Sequence, residues 1–566
     1  MPPADQAPSA PMGGHRPERY PPITEPSRGG RGLRQRTLQG MVIMAASTGG
    51  QAVLQLVFLS ILARALSPDE FGLVSGALIV VFLATALAES GVGQAVIQRA
   101  ELTAVHLRVG WTLSLLTGML SWGLVALLAP AIEDLLRLPG LTPILRVIAL
   151  MFVLNGLTLS DFLLSRRLQF GRLAMAELAS YAVGYGGVAI TLALLGCGPW
   201  AIVWGQLGQS AMRTVLVTCL APFRYRPCLY RSVAGDLLNF GAGLTLGRLG
   251  SWAATQMDNF VVGRCLGAAA LGLYGRAYQL VQMPANLFGQ VANEVLFPAM
   301  SAVQHEHAKL RRVFGLGTGL LAALALPVSL LAAVSSDALV RVLLGPEWLG
   351  LRTVFDVIIF GLLFRTTSKL ADALMKARGA VYRRALRNLA FAAMVLLGAA
   401  IGQHWGLEGV GIGVLAALGL NYLYTSQLCL ALIGMRWREF LAAHLPAVIL
   451  ATGAALVGLV AQLVLSAAGS PYLVRLLVVW LLGIATCLLL VRIAWRTRLL
   501  ASVAGLVAAV HGLLSGAPAR ILARLLGPGY RAVLHAEKLP MPGPRRAAAL
   551  AAEERIDDEI DGRTMR

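Results

Sequence analysis

Charged residues are scarce in this chain, and cysteines are few. Only 13% of the 566 residues are Asp, Glu, Lys or Arg, whereas 57% are hydrophobic and the mean hydropathy is +0.70. Soluble domains carry about 25% charged residues, so the composition excludes that class and indicates an integral membrane protein. The six cysteines show no CxxC spacing. We therefore expect no disulfide framework, no metal site and no cofactor.

The chain also lacks basic clusters interleaved with aromatics. Its net charge of +20 would suit nucleic acid, but the arginines recur between apolar segments, so we expect no nucleic-acid partner. Residues 1–39 are rich in Pro, Gly and Arg and have no apolar signal-peptide core. They predict a disordered basic N-terminal arm.

Long apolar runs dominate the rest of the sequence. Windows of about 20 apolar residues predict about fourteen transmembrane helices, and thus an all-α integral membrane fold. One set of alternate loops is strongly basic, for example with Lys376, Arg378, Arg383, Arg384 and Arg387. The other set holds single arginines, among them Arg264 and Arg276. The positive-inside rule then places both termini in the cytoplasm. Because all the outward loops are short, a membrane glycosyltransferase or polymer ligase is disfavoured, and we predict that the protein is not an enzyme.

A short internal repeat suggests how the helices are grouped. The segments ARALSPDEFGL (63–73) and GRCLGAAALGL (263–273) align Arg64 with Arg264 and Gly72 with Gly272. Each copy joins an outward-going helix to its inward-going partner, which indicates two six-helix bundles in a parallel repeat. The predicted segments are the arm 1–39, a first bundle 40–221, a second bundle 237–432, two additional helices 441–494, and a cytoplasmic tail 495–566 with a partly interfacial helix.

A stripe of amides marks the predicted eighth helix, near residues 278–300. Its members are Gln279, Gln282, Asn286, Gln290 and Asn293. Their spacings of three and four residues place them on one helical face. Amides facing lipid are costly, so the stripe should face a cavity or another helix. Interhelical hydrogen bonding alone remains an alternative.

Ionised residues also fall inside apolar helices. The predicted tenth helix carries Arg365, Lys369 and Asp372 on one face, with Lys369 and Asp372 spaced to form a salt bridge and Arg365 left to bind an anion. The predicted seventh helix, near 237–262, carries Arg248 near mid-membrane and Asp258 near its outer end. Arg248 is a substrate-ligand candidate, whereas Asp258 either couples a cation or fastens the outer end of the bundle.

Two carboxylates of the first bundle are further coupling candidates. Glu89 and Asp161 could bind a coupling cation, although both could also be cytoplasmic-end residues that reach water. Arginines at mid-depth, lined by amides rather than aromatics, suit an anionic phosphate head attached to a hydroxyl-rich body. A lipid-linked sugar diphosphate has this chemistry.

Three segments carry a family resemblance: LARALSPDEFGLVSGALIVVFLATALAESGVGQAVIQRAELT (62–103), MDNFVVGRCLGAAALGLYGRAYQLVQMP (257–284) and VLFPAMSAVQ (295–304). The sequence resembles the bacterial polysaccharide biosynthesis flippases (Wzx-type) of the multidrug/oligosaccharidyl-lipid/polysaccharide exporter superfamily. The resemblance implies a V-shaped, MATE-like fold in the bacterial cytoplasmic membrane. It also implies transfer of undecaprenyl-diphosphate-linked oligosaccharide to the outer leaflet, for exopolysaccharide, capsule or O-antigen synthesis.

The predicted partners are this lipid-linked oligosaccharide, the lipid bilayer and, as further candidates, a polysaccharide polymerase and export machinery. The alternative function is a cation-coupled multidrug antiporter of the same superfamily. A cationic drug would be repelled by Arg248 and Arg365 if both arginines face the cleft, so the placement of these side chains discriminates between the two functions.

Overall fold

The computed structural model describes residues 30–88, 93, 104–167, 169–222, 226–377 and 381–497, and these residues are almost entirely helical. By packing, the chain divides into one unit that ends at Ile484 and a second that begins at Ala485. The α-helices are α1 Gly30–Ala65, α2 Pro68–Ala88, α3 Ala104–Leu136, α4 Leu141–Ile148, α5 Leu150–Gly156, α6 Ser160–Arg166, α7 Phe170–Tyr181, α8 Ile190–Leu194, α9 Trp200–Leu220, α10 Arg231–Val291, α11 Phe297–Ala302, α12 His307–Val334, α13 Ser336–Leu343, α14 Leu351–Ile358, α15 Gly361–Ala377, α16 Val381–Gly402, α17 Gly406–Ile433, α18 Trp437–Ala467 and α19 Tyr472–Thr497.

Many of these helices are long and apolar enough to cross a bilayer. Within the described ranges, eight helices meet that description, or up to nine if the bent pair Leu141–Gly156 and Ser160–Arg166 forms one span. Helices suit this environment because they satisfy every backbone polar group internally. The prediction of an all-α multi-pass membrane protein is confirmed. The number of about fourteen spans stays a prediction, as does the division into two six-helix bundles. The residues of both predicted bundles, 40–221 and 237–432, belong to the first packing unit.

The predicted loop between the seventh and eighth helices is wrong. Helix α10 runs from Arg231 to Val291 and is interrupted only at Gly267, whose φ of 87° and ψ of −177° are not helical. Glycine tolerates this positive φ because it has no Cβ. The chain therefore turns at a single residue, and the flanking arginines Arg264 and Arg276 lie on helix rather than in an extended connection.

The two copies of the internal repeat pack directly against each other. A Cβ on Gly72 would overlap the carbonyl oxygen of Ala268, and a Cβ on Gly272 would overlap that of Pro68. The contact is reciprocal, since residues 68 and 72 of one copy meet residues 272 and 268 of the other. These glycines bring α2 and α10 together at backbone distance, and this is the most extensively packed helix pair in the first unit.

The two equivalent arginines of the repeat, Arg64 and Arg264, each hydrogen-bond to the backbone of the other half of the chain. Arg64 donates to the carbonyl oxygen of Val342 at 2.8 Å, and Arg264 donates to that of Leu135. Nearby, the indole Nε1 of the fully buried Trp348 donates to Ala63 O at 2.7 Å. The carbonyl of Ala63 is buried, and a buried backbone carbonyl needs such a partner because no water reaches it. The side chains thus tie each half of the repeat to a segment of the other half.

Several predicted boundaries change or cannot be compared. Helix α1 begins at Gly30, so the last part of the predicted arm 1–39 is helical, and α19 continues to Thr497. Residues 1–29, the coupling candidate Glu89 and the predicted interfacial helix of the tail lie outside the described residues.

Candidate substrate cleft

A polar cavity of about 470 Å³ lies between the first helices of the chain and the second half of α10. One wall comes from α1, α2, α7, α9 and the π-helical segment Ala182–Ala189; α10 supplies the other. The polar lining side chains are Gln51, Gln55, Tyr181, Tyr185, Gln206, Gln209, Arg276, Tyr278, Gln279, Gln282 and Asn286. No carboxylate is among the described lining residues.

A second cavity, of about 680 Å³, lies between α16 and α17. Its lining is apolar except for Glu408, and it includes exposed side chains such as Leu397 and Ile412. An apolar helix face is ordinary where a membrane protein meets lipid. The polar cavity is therefore the candidate functional site.

Arg365 on α15 is held at the cleft by Tyr278 of α10. Its Nη1 donates to the tyrosine hydroxyl at 2.8 Å and to Gln282 Oε1 at 3.4 Å, and the guanidinium carbon lies 4.3 Å from the centre of the tyrosine ring. This combines a hydrogen bond with a cation–π contact. The Nε donor of Arg365 is buried and has no protein partner, and no ion pair to this arginine occurs among the described residues.

Lys369, one helical turn further along α15, also contacts the second half of α10. Its Nζ donates to Asn286 Oδ1 at 2.9 Å and to Ala285 O at 3.1 Å, and Gln282 Nε2 also donates to Asn286 Oδ1 at 2.9 Å. Gly289 makes room for the lysine stem, because a Cβ there would overlap Lys369 Cδ. The structure thus brings together Arg365, Lys369, Gln282 and Asn286, which the sequence had grouped only by helical spacing.

Arg276 is a cleft residue that sequence reasoning missed. We expected it in an outward loop, but α10 places it in the cavity with its guanidinium 4.6 Å from the centre of the Phe71 ring, donating to Gln279. Its Nε is also buried without a protein partner. The signal was present in the sequence, since Arg276, Gln279, Met283 and Asn286 follow one another at helical spacing.

The cavity therefore has an excess of positive charge. Arg276 lines it, Arg365 hydrogen-bonds to the lining residues Tyr278 and Gln282, and Lys369 hydrogen-bonds to the lining residue Asn286. Cations gathered around a low-dielectric cleft, with no carboxylate among its described lining residues, favour an anionic guest. Guanidinium groups suit phosphate in particular, because they remain charged when poorly solvated and present two parallel donors.

The expectation of a cleft without aromatics is wrong. Tyr181 and Tyr185 line the wall opposite α10 and stack at 4.8 Å, and Tyr185 donates its hydroxyl hydrogen to Gln206 Oε1 at 2.6 Å. The spacing of four residues between these tyrosines places them on one helical face. The sequence contained that signal, but the predicted cavity was built from the amide and charge stripes alone.

The other residues predicted to bind substrate lie outside the lining of the cavity. Arg248 is half-buried on the first part of α10 and is not among the residues lining the cavity; Gln290 is half-buried and Asn293 exposed, both outside the lining set. Asn293 lies in the π-helical turn Ala292–Leu296. Such a turn fits an extra residue into the helix, so positions beyond it leave the face that spacing predicts.

Asp258 is buried in α10 and is 2% exposed. Its two oxygens accept hydrogen bonds from the Tyr274 hydroxyl and the backbone N–H of Asn259, both at 2.8 Å. Among the described residues it has no ion-pair partner, which is unusual for a carboxylate removed from water. It is not among the residues lining the cavity, but the Tyr274 ring centre lies 6.3 Å from that of Tyr278, the partner of Arg365.

Two further carboxylates that the structure describes, those of Asp161 and Glu177, are paired with one arginine. Asp161 Oδ2 lies 2.5 Å from Arg213 Nη1, and Glu177 Oε2 lies 2.8 Å from the Nε of the same arginine. This arrangement favours the structural alternative for Asp161.

The predicted partnership of Asp372 with Lys369 requires correction. Asp372 Oδ1 lies 2.6 Å from Nη2 of Arg387 on α16, while Lys369 turns to α10. Arg387 is 4% exposed, so it belongs to the helix packing and not to a solvated basic loop.

Two solved structures share this architecture. A lipid II flippase MurJ in an inward closed conformation matches with a TM-score of 0.64 at 13% identity, over 81% of this chain and all of the MurJ chain. An inward-facing multidrug resistance MATE family transporter of the MOP superfamily matches with a TM-score of 0.55 at 17% identity, over 69% of this chain and 98% of the transporter. The chain shares its fold with these two structures.

The sequence places the chain more narrowly. The family model described as polysaccharide biosynthesis protein matches residues 61–353, and the chain belongs to that family. The lipopolysaccharide biosynthesis protein WzxC of Escherichia coli (strain K12) is 28% identical over 418 residues, which cover 72% of this chain and 84% of WzxC. The succinoglycan biosynthesis transport protein ExoT of Rhizobium meliloti (strain 1021) is 30% identical over 309 residues, 53% of this chain and 61% of ExoT. The predicted family is confirmed.

Proposed function

We propose that this protein is a flippase that moves undecaprenyl-diphosphate-linked oligosaccharide from the cytoplasmic to the outer leaflet of the bacterial cytoplasmic membrane. The observation that carries the proposal is a pair of arginines at a polar cleft that has no carboxylate among its described lining residues: Arg276 lines the cleft, and Arg365 hydrogen-bonds to its lining residues Tyr278 and Gln282. A diphosphate offers the negative charge and the acceptor oxygens that guanidinium groups bind. The protein forms and breaks no covalent bond in this process.

The two walls suggest how the head group crosses. Alternating access requires the helices of the first wall and α10 to open at one end of the cleft and then at the other, while the polyprenyl tail stays in lipid. The membrane potential favours outward movement of an anion by about 2.3 kcal/mol per charge per 100 mV for the full field. The cationic cleft lowers the cost of carrying that charge through the low-dielectric centre of the membrane.

Asp258 is the proposed coupling residue. A buried carboxylate without an ion-pair partner among the described residues can gain or lose a cation more readily than Asp161, which Arg213 already neutralises. Tyr274 and Tyr278 lie between Asp258 and Arg365, so a change of charge at Asp258 is felt at the substrate arginine.

The same cleft argues against the multidrug antiporter. A cationic drug would meet Arg276 in the lining, with Arg365 and Lys369 hydrogen-bonded to the lining residues Tyr278 and Asn286, and no carboxylate among the described lining residues would offset these charges. The guest that these side chains favour is anionic.

Polymer formation in cells tests the proposed function. We expect Arg276→Ala and Arg365→Ala to reduce the yield of surface polymer by at least about tenfold at unchanged membrane protein level, because each removes a charge-assisted phosphate contact. Arg248→Ala is measured in the same experiment, because the sequence predicts Arg248 as a substrate ligand. The matched control is Arg352→Ala, since Arg352 is half-exposed and pairs with Asp337 and Asp356 outside the cleft. Normal polymer yield from both cleft variants would contradict the proposal.

A further inference from the structure

The wall that faces Arg276 contains amides and aromatics. Within the described lining set, α1 contributes Gln51 and Gln55, α9 contributes Gln206 and Gln209, and Tyr181 and Tyr185 lie between them. No charged side chain lines this wall among the described residues. We call these six residues the neutral wall.

The tyrosines of the neutral wall are held rigidly. Phe58 stacks on Tyr181 at 5.7 Å, and Tyr181 stacks on Tyr185 at 4.8 Å. Gly186 allows the Phe58 ring to approach, because a Cβ there would lie 2.7 Å from Phe58 Cζ. Tyr185 is fixed at its other end by the 2.6 Å hydrogen bond to Gln206. A surface preorganised in this way loses little conformational freedom on binding.

The chemistry of this wall differs from that of the α10 wall. Each glutamine offers two donors and a carbonyl acceptor, which matches hydroxyl groups that both donate and accept. A tyrosine supplies an apolar face and a polar tip, which suits the C–H face and hydroxyl rim of a sugar ring. An anion is stabilised less by this wall than by Arg276 and Arg365. The ligand that fits the cleft best therefore has two chemically different parts, one anionic and one uncharged.

We infer that the neutral wall is a sugar-recognition subsite, which binds the uncharged, hydroxyl-rich sugar nearest to the diphosphate while Arg276 and Arg365 bind the diphosphate. The inference rests on the proposed function, because it takes the anionic part of the ligand from it. The neutral wall then determines which sugar is bound, and the cations of α10 and α15 recognise the charge of the diphosphate. Buried amides left without hydroxyl partners then disfavour ligands that lack the sugar.

Binding of two lipids to the purified full-length protein separates these roles. The probes are undecaprenyl diphosphate without sugar and the undecaprenyl-diphosphate oligosaccharide extracted from the host strain. We expect Gln206→Leu and Tyr185→Leu to weaken binding of the oligosaccharide lipid by about tenfold and to leave binding of the sugar-free lipid unchanged. Arg276→Gln should weaken binding of both lipids.

Thr191→Val is the matched control, because Thr191 is not among the residues lining the cavity and its exposed hydroxyl donates to Gly187 O in the preceding helical turn. If Tyr185→Leu does not fold, Tyr185→Phe keeps the ring stack and removes the hydroxyl. Equal weakening of both lipids by the neutral-wall variants, or no weakening of either, would overturn the inference while the proposed function stands. Failure of the wild-type protein to bind either lipid would overturn the proposed function itself.

Discussion

The surroundings of Asp258 differ from those of Asp161 and Asp372. Asp161 and Asp372 each lie within salt-bridge distance of an arginine, whereas Asp258 has only the Tyr274 hydroxyl and the Asn259 amide as hydrogen-bond donors among the described residues. A buried ionised carboxylate is costly without a cation. The proposed coupling role of Asp258 follows from this cost, because binding of a proton or a metal cation would remove it.

We predict that Asp258→Asn abolishes the dependence of flipping on a proton or sodium gradient, because asparagine keeps the shape and loses the exchangeable charge. Transport in vesicles with and without each imposed gradient measures this dependence. Tyr274→Phe is the companion variant: it removes the donor to Asp258 Oδ2 but keeps the carboxylate. Gradient dependence should persist in Tyr274→Phe, with an altered response to pH. Undiminished gradient dependence in Asp258→Asn would leave Asp258 a structural residue.

At this scale the sequence predicted part of the cleft. Helical spacing grouped Arg365 with Lys369, and Gln282 with Asn286, and these four side chains do meet. Spacing could not show that Asp372 turns to Arg387, because that choice depends on where α16 packs. Arg276 was assigned to a loop because it lies between two apolar windows, but the interruption of α10 is confined to Gly267, so Arg276 is helical.

Among the helices, α2 packs closely against both halves of α10, beside the cleft that the two helices help to line. Gly72 and Gly272 place each backbone against the other, and Trp252 of α10 donates to Ile79 O of α2 at 3.1 Å. Small residues are what allow helices to approach this closely in a membrane. The repeat predicted that the two turns are equivalent. It could not predict that they touch, since sequence similarity alone does not place one copy against the other.

We predict that Gly72→Ala and Gly272→Ala each destabilise the protein by about 1–3 kcal/mol, the usual cost of overpacking, because the added methyl would overlap a backbone carbonyl that cannot rotate away. Thermal unfolding of the purified protein in detergent measures the effect as a lower Tm. Gly123→Ala is the control, since a Cβ at Gly123 meets nothing within 4 Å. An unchanged Tm in both repeat variants, together with normal transport, would show that the backbones do not meet as described.

For the molecule as a whole, the direction of transport depends on its orientation in the membrane. The positive-inside rule predicts cytoplasmic termini, which puts the turn at Cys197 and the Gly267 turn beside Cys265 outside and Cys228 inside. Both Cys197 and Cys265 are exposed, and Cys228 is half-buried.

We predict that a charged, membrane-impermeant maleimide labels single-cysteine variants retaining Cys197 or Cys265 in right-side-out vesicles. The variant retaining Cys228 should react only after the membrane is permeabilised. The physical reason is that a charged reagent cannot cross the bilayer in the time of the reaction. The cysteine-free variant serves as the background. Labelling of Cys228 in sealed vesicles, with Cys197 and Cys265 unreactive, would show the inverted orientation.

The central claim is that the cleft moves a lipid-linked oligosaccharide across the bilayer by binding its diphosphate at Arg276 and Arg365. The most direct test reconstitutes the purified protein into sealed proteoliposomes containing that lipid and measures how fast its sugar becomes accessible to an impermeant sugar-binding protein. The account predicts transfer by wild-type protein and by Arg352→Ala, and at least about tenfold slower transfer by Arg276→Gln and Arg365→Gln. Equal rates in all four proteins, or no transfer above protein-free vesicles by the wild type, would contradict it.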